Sequence, residues 1–78
     1  MNFSEEVRKT RQRLFLTQED FAKEIGVAFT TVNRWEGGKS KPNLLAMKSI
    51  NEFCFKHDVD FSPVEDAWLN YKTERNNG

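Results

Sequence analysis

Thr17-Gln18-Glu19-Asp20-Phe21-Ala22-Lys23-Glu24-Ile25-Gly26-Val27-Ala28-Phe29-Thr30-Thr31-Val32-Asn33-Arg34-Trp35-Glu36-Gly37-Gly38 is the stretch whose reading decides the fold. Thr17 is a good helix cap, with Asp20 three residues on as a capping-box-like partner. Phe21, Ala22 and Ile25 give the helix one apolar face, and Gly26 stops it. A second helix is expected over about Phe29 to Glu36, with Val32 and Trp35 inward and the Gly37-Gly38 pair as its end. Ala22 is small where the two axes must approach, and Gly26 permits a sharp turn. Together these predict a helix-turn-helix over residues 17–38.

Outward from this unit the apolar spacing stays helical, and strand alternation is nowhere sustained. A first helix is predicted from about Ser4 to Phe15. Ser4 or Asn2 caps it, Glu5 and Glu6 lie in its first turn, and Val7, Arg11 and Leu14 form one stripe. After the loop Lys39-Ser40-Lys41-Pro42, Asn43 caps a fourth helix that ends near His57, with Leu44, Met47, Ile50, Phe53 and Cys54 inward. In Ser62-Pro63-Val64-Glu65, Ser62 is the expected cap and Pro63 the first helical residue of a fifth helix. That helix should run to about Lys72, anchored by Trp68 and Leu69. The expected fold is all-α: five helices in one domain over residues 1–72, then a polar, disordered tail over 73–78.

Composition sets the outer limits. A chain of 78 residues supports one modest core, and 37% hydrophobic residues with seven Phe and two Trp suffice to fill it. The lone cysteine has no intramolecular partner, and no apolar run reaches the roughly 20 residues of a membrane span, so a cytoplasmic protein away from membranes is expected. Twelve basic and twelve acidic residues cancel, but unevenly along the chain. Residues 1–41 hold eight basic and six acidic groups (+2), and residues 42–78 hold four and six (−2). A polyanion-binding face therefore belongs to the first half.

On the third helix, Phe29, Thr30, Asn33 and Arg34 fall three and four apart, away from Val32 and Trp35. These side chains suit the major groove of double-stranded DNA. Arg34 can donate twice to guanine, Asn33 can pair with adenine, and Thr30 with Phe29 can meet a thymine methyl.

The segments Leu16-Thr17-Gln18-Glu19-Asp20-Phe21-Ala22-Lys23-Glu24-Ile25-Gly26-Val27 and Thr31-Val32-Asn33-Arg34-Trp35-Glu36-Gly37-Gly38-Lys39-Ser40-Lys41-Pro42 resemble the Cro/phage-repressor, or XRE-type, family over roughly residues 5–56. The resemblance implies a five-helix, lambda-repressor-like domain that binds a two-fold symmetric operator, most simply as a repressor. It places Gln18, joined by Thr17, on the DNA backbone, base reading on Phe29, Thr30, Asn33 and Arg34, and phosphate contacts on Gly38, Lys39 and Lys41. Backbone N–H groups after the glycine pair would add to these. It also pairs Arg11 with Glu36 as a structural ion pair and gives the C-terminal helices a role in a homodimer. Ala28 and Phe29 depart from the family pattern, which favours polar residues at both places.

Plainer readings stand beside these. Trp35 belongs to the core, and Phe29 reads DNA, packs on the first helix or fills a protein interface. Lys39 and Lys41 sit in a loop where any soluble protein is basic, and Arg8, Lys9 and Arg13 read as solvated charge. Cys54 and His57 lack companions for a metal or nucleophilic site, and Glu65 and Asp66 are explained by their place in a helix's first turn. No enzyme, metal or cofactor is therefore expected. The rivals to a DNA-binding regulator are an antitoxin-like module that binds a toxin, and the N-terminal DNA-binding domain of a larger DNA-modifying protein.

Overall fold

A computed structural model describes residues 2–71, so the tail expected over 73–78 and the helix end expected at Lys72 lie outside the described residues. Five α-helices follow one another: α1 Phe3–Arg13, α2 Gln18–Ile25, α3 Phe29–Glu36, α4 Leu44–Lys56 and α5 Ser62–Leu69. α1 packs between α3 and α5, and α2 packs on α3 and α4. Asn2, Thr17 and Asn43 cap α1, α2 and α4 through side-chain oxygens that accept from the N–H groups of Glu5, Asp20 and Ala46.

One core joins all five helices. Phe3 and Val7 come from α1, Phe21, Ala22 and Ile25 from α2, and Val32 and Trp35 from α3. Met47, Ile50, Phe53 and Cys54 come from α4, and Val64 from α5. Phe21 and Phe53 meet edge to face at 5.0 Å, joining α2 to α4.

The first four helices end alike. The N–H groups of Leu16, Val27, Lys39 and Asp58's neighbour Val59 each reach back five residues, to the carbonyls of Arg11, Ala22, Arg34 and Cys54. Just before each donor stands a residue with positive φ: Phe15, Gly26, Gly38 and Asp58. Glycine adopts that backbone without steric penalty, and it occupies the two closures that bound α3.

Four expectations are corrected. Leu44 is 70% exposed, because 100° per residue puts it about 110° from the centre of the face formed by Met47, Ile50, Phe53 and Cys54. Leu69 is 64% exposed, and the fully buried anchor of α5 is Val64. Ser62 is a helical residue and not the cap. The cap position is held by Phe61, which offers no side-chain hydrogen bond, and the Ser62 N–H donates to Asp60 Oδ1 at 3.0 Å. α1 starts at Phe3, whose ring is buried, and stops at Arg13, leaving Phe15 outside the helix and 95% exposed.

Candidate nucleic-acid interface

α3 is fixed from its inner side. Val32 and Trp35 are buried, and Glu36, at the last position of the helix, is buried with them. A buried carboxylate requires partners, and Glu36 has several. Arg11 approaches it in a fork, with Nε 2.7 Å from Oε2 and Nη2 2.9 Å from Oε1. Hydrogen bonds to Glu36 hold the Arg11 guanidinium above its ordinary pKa, against the lowering effect of burial. Arg11 Nη1 also donates to the carbonyl of Leu16, just before α2. Arg8, read from sequence as solvated charge, instead reaches Glu36: its Nη2 donates to the Glu36 carbonyl at 3.4 Å, and its Nε lies 3.9 Å from Oε1. Arg8 is i−3 from Arg11 on the same helix face, which is the signal that could have found it.

Gln18 extends this network to the surface. Its Nε2 donates to Glu36 Oε1 at 3.0 Å, and its Oε1 accepts from Asn33 Nδ2 at 3.1 Å. A carboxylate only accepts, so the amide nitrogen must face Glu36 and the oxygen must face Asn33. The remaining side-chain N–H and Oδ1 of Asn33 are left for an outside partner.

The outer face of α3 presents Phe29, Thr30, Asn33 and Arg34, all exposed. Thr17 is also exposed, although its hydroxyl oxygen already serves as the α2 cap. Ala28 precedes α3 in an extended conformation and offers no side-chain cap. Among the described residues, Arg34, Lys39 and Lys41 have no carboxylate within 4.0 Å, as is also true of Arg13, Lys23 and Lys48, whereas Arg8, Lys9, Arg11 and Lys56 each do. Positive charge is therefore uncompensated along α3 and the loop that follows it.

That loop differs from expectation in two respects. The N–H groups of Gly38 and Lys39 donate to the carbonyls of Trp35 and Arg34 and close α3, so they are not free for a phosphate. Those of Ser40 and Lys41 have no backbone partner. Lys41 Nζ lies over the rings of Trp68 and Tyr71, at 4.7 and 5.4 Å. An open groove of about 410 Å³ runs beside it, with Thr31 and Trp35 of α3 and Ala46 of α4 on its walls.

The other chemistry-bearing residues lie elsewhere. Cys54 is buried, and burial pushes its thiol up to about 11. His57 stacks on Phe53 and bonds Glu24 at 3.3 Å. Among the described residues no three metal-binding side chains come together, and no helix is long and apolar enough to cross a membrane.

Comparison with known proteins agrees with this geometry. A family model described as "Helix-turn-helix" matches residues 7–61. The chain is similar to the HTH-type transcriptional activator BcrR of Enterococcus faecalis, at 38% identity over 53 residues, which is 68% of this chain and 26% of that protein. It is also similar to the type II methyltransferase M.SsoII of Shigella sonnei, at 33% identity over 55 residues, 67% of this chain and 14% of the enzyme. The chain thus spans about a quarter or less of these relatives' length. No solved structure matches it significantly.

Proposed function

Because the chain belongs to the Cro/phage-repressor (XRE-type) helix-turn-helix family of double-stranded DNA-binding regulators, we propose that it reads a two-fold symmetric operator with α3 in the major groove. The observation that carries this reading is the outer face of α3. Phe29, Thr30, Asn33 and Arg34 point away from a core that holds the helix rigidly, beside cations with no carboxylate partner. Arg34 donates to a guanine, Asn33 to an adenine, and Thr30 and Phe29 meet a thymine methyl. Gln18 and Thr17 meet the backbone at the start of α2, and Lys39, Lys41 and the loop around Gly38 meet it beyond α3.

Two copies of α3 about one helical turn apart, roughly 34 Å, match such an operator. Leu44, Leu45 and Phe55 on α4 and Leu69 on α5 are large exposed apolar residues, and they support a homodimer formed through the C-terminal helices. Repression is the sign of regulation we propose, since occupancy of promoter DNA is sufficient for it. The protein acts in the cytoplasm without a cofactor. The similarity to a methyltransferase favours a second reading, in which the same face targets a larger DNA-modifying protein.

Selection of bound sites from random duplexes tests the proposal, and a palindromic consensus is expected. Arg34→Ala should then cost about 1–3 kcal/mol at one base position, whereas Lys39→Ala should weaken all duplexes alike and flatten the salt dependence by about one phosphate. Unchanged binding in both variants would remove α3 as the reading helix. A non-palindromic consensus would favour the second reading.

A further inference from the structure

Lys41 is held by rings and not by a carboxylate. The same ring system grips the neighbouring residue, since Trp68 Nε1 donates to the carbonyl of Pro42 at 2.7 Å. Trp68 and Tyr71 are themselves half-buried against the core, so the end of α5 fastens two consecutive residues of the loop that leaves α3. The kind of partner matters. A carboxylate cancels a lysine's charge, but the negative face of an aromatic ring attracts the ammonium without neutralising it and leaves outward N–H groups for another acceptor.

The position of this lysine is equally specific. Lys41 borders the groove that contains Thr31 and Trp35, whereas Gln18 touches α3 through Asn33 and Glu36. On the α3 wheel these two pairs lie about 150° apart. α3 thus has Gln18 along one side and the groove beside Lys41 along another, so the two side chains approach the helix from different directions.

We propose that Trp68 and Tyr71 are positioning residues for DNA-backbone contact: they hold Lys41, without pairing it to a carboxylate, beside the reading helix. The rotamer freedom that a long side chain gives up on meeting a phosphate is then already restricted in the free protein. The C-terminal helix thereby contributes to DNA affinity from outside the helix-turn-helix. This inference rests on the DNA-binding reading above.

The test uses the full chain, defined duplexes at several salt concentrations, thermal melts, and the proton shifts of the Lys41 ε-methylene group. Lys41→Met should lower affinity for every duplex and flatten the salt slope by about one. Trp68→Leu and Tyr71→Leu should each lower affinity by about two- to fivefold, the worth of a partly exposed cation–π contact, with base preference unchanged. Both should move the ε-methylene protons downfield from their ring-shifted positions, and neither should lower affinity further in the Lys41→Met background. Tyr71→Leu decides the matter if Trp68→Leu melts below the assay temperature.

Equal losses with and without Lys41, or full affinity in the ring variants while Lys41→Met weakens binding, would overturn the proposal. If Lys41→Met binds normally while Arg34→Ala and Lys39→Ala do not, the positioning role falls and the DNA-binding reading stands. If all three bind normally, both fall.

Discussion

Asn33 and Gln18, one on each helix of the motif, are joined by a hydrogen bond of 3.1 Å from Asn33 Nδ2 to Gln18 Oε1. Since Gln18 is oriented by Glu36, the orientation of the exposed Asn33 amide follows from a carboxylate in the core. Gln18→Ala and Asn33→Ala should therefore be non-additive in DNA affinity, with a coupling of about 0.5–3 kcal/mol in a double-mutant cycle. Strict additivity would mean that Asn33 orients itself.

Phe29 is 48% exposed, intermediate between a core residue and a free one. If its ring meets a thymine methyl, replacing that thymine by uracil should weaken the wild-type complex by about fourfold, the value of burying one methyl-sized group. Phe29→Ala should bind the two duplexes equally. A wild-type protein indifferent to the methyl at every position would assign Phe29 to a protein contact.

Glu36 gathers Arg8, Arg11 and Gln18 around one buried carboxylate. Glu36→Gln keeps the shape and loses the charge, leaving the Arg11 guanidinium, whose side chain is only 13% exposed, without its counterion. Urea denaturation should show a loss of about 3 kcal/mol. Adding Arg11→Met should recover part of it, because an apolar replacement has no charge to leave unpaired. A double variant less stable than Glu36→Gln would contradict this account.

Asp60 accepts a hydrogen bond at the start of α5, and the hydrogen bonds from Ser62, main chain first and side chain second, hold its carboxyl below the ordinary carboxylate range. A depressed folded pKa stabilises the fold above the ordinary range, and that contribution is lost as pH falls through the folded value. Asp60→Ala should therefore lower the melting temperature at neutral pH more than Ser62→Ala does. Asp60→Asn, which keeps an acceptor, should reduce the acid sensitivity. The opposite ranking of the alanine variants would show that the Asp60 carboxylate does not support the start of α5.

Cys54 gives the alkaline counterpart. Its thiol is raised from an ordinary 9.0 to about 11, chiefly by burial and secondarily by Asp60. Between these values the unfolded chain has released a proton that the folded chain retains, so stability falls as pH rises from 9 to about 11. Cys54→Ala should lose less stability over that window than the wild type, whatever its stability at neutral pH. Parallel pH profiles would show that the buried thiol does not contribute.

Helix existence was legible because four of the five starts carry a capping side chain or proline and each run has one apolar face; α3, which follows Ala28, was legible from its apolar face and its closing glycines alone. The inner and outer faces of α3 were legible for the same reason. What escaped depends on contacts between elements distant in sequence. Leu44 satisfies a periodic pattern yet falls at the margin of the α4 face, and only the placement of α2 shows which margin is covered. Ser62 has the right chemistry for a cap, but the helix already includes it, and its own N–H donates to Asp60. Arg8 and Lys41 look alike in sequence as surface cations. Only the fold brings one to Glu36 and the other to Trp68 and Tyr71.

The left-handed closures at Gly26 and Gly38 delimit α3 with backbone groups alone. Val32, Trp35 and Glu36 then fasten it to the rest of the molecule, and none of the outward side chains of Phe29, Thr30 or Arg34 takes part in either task. The atoms that fasten α3 to the fold and the atoms it presents outward are thus largely separate sets within eight residues. On the DNA-binding reading proposed above, exchanges at those three positions should redirect recognition while the scaffold keeps its stability, whereas an exchange at Asn33, tied to Gln18, should also disturb the architecture.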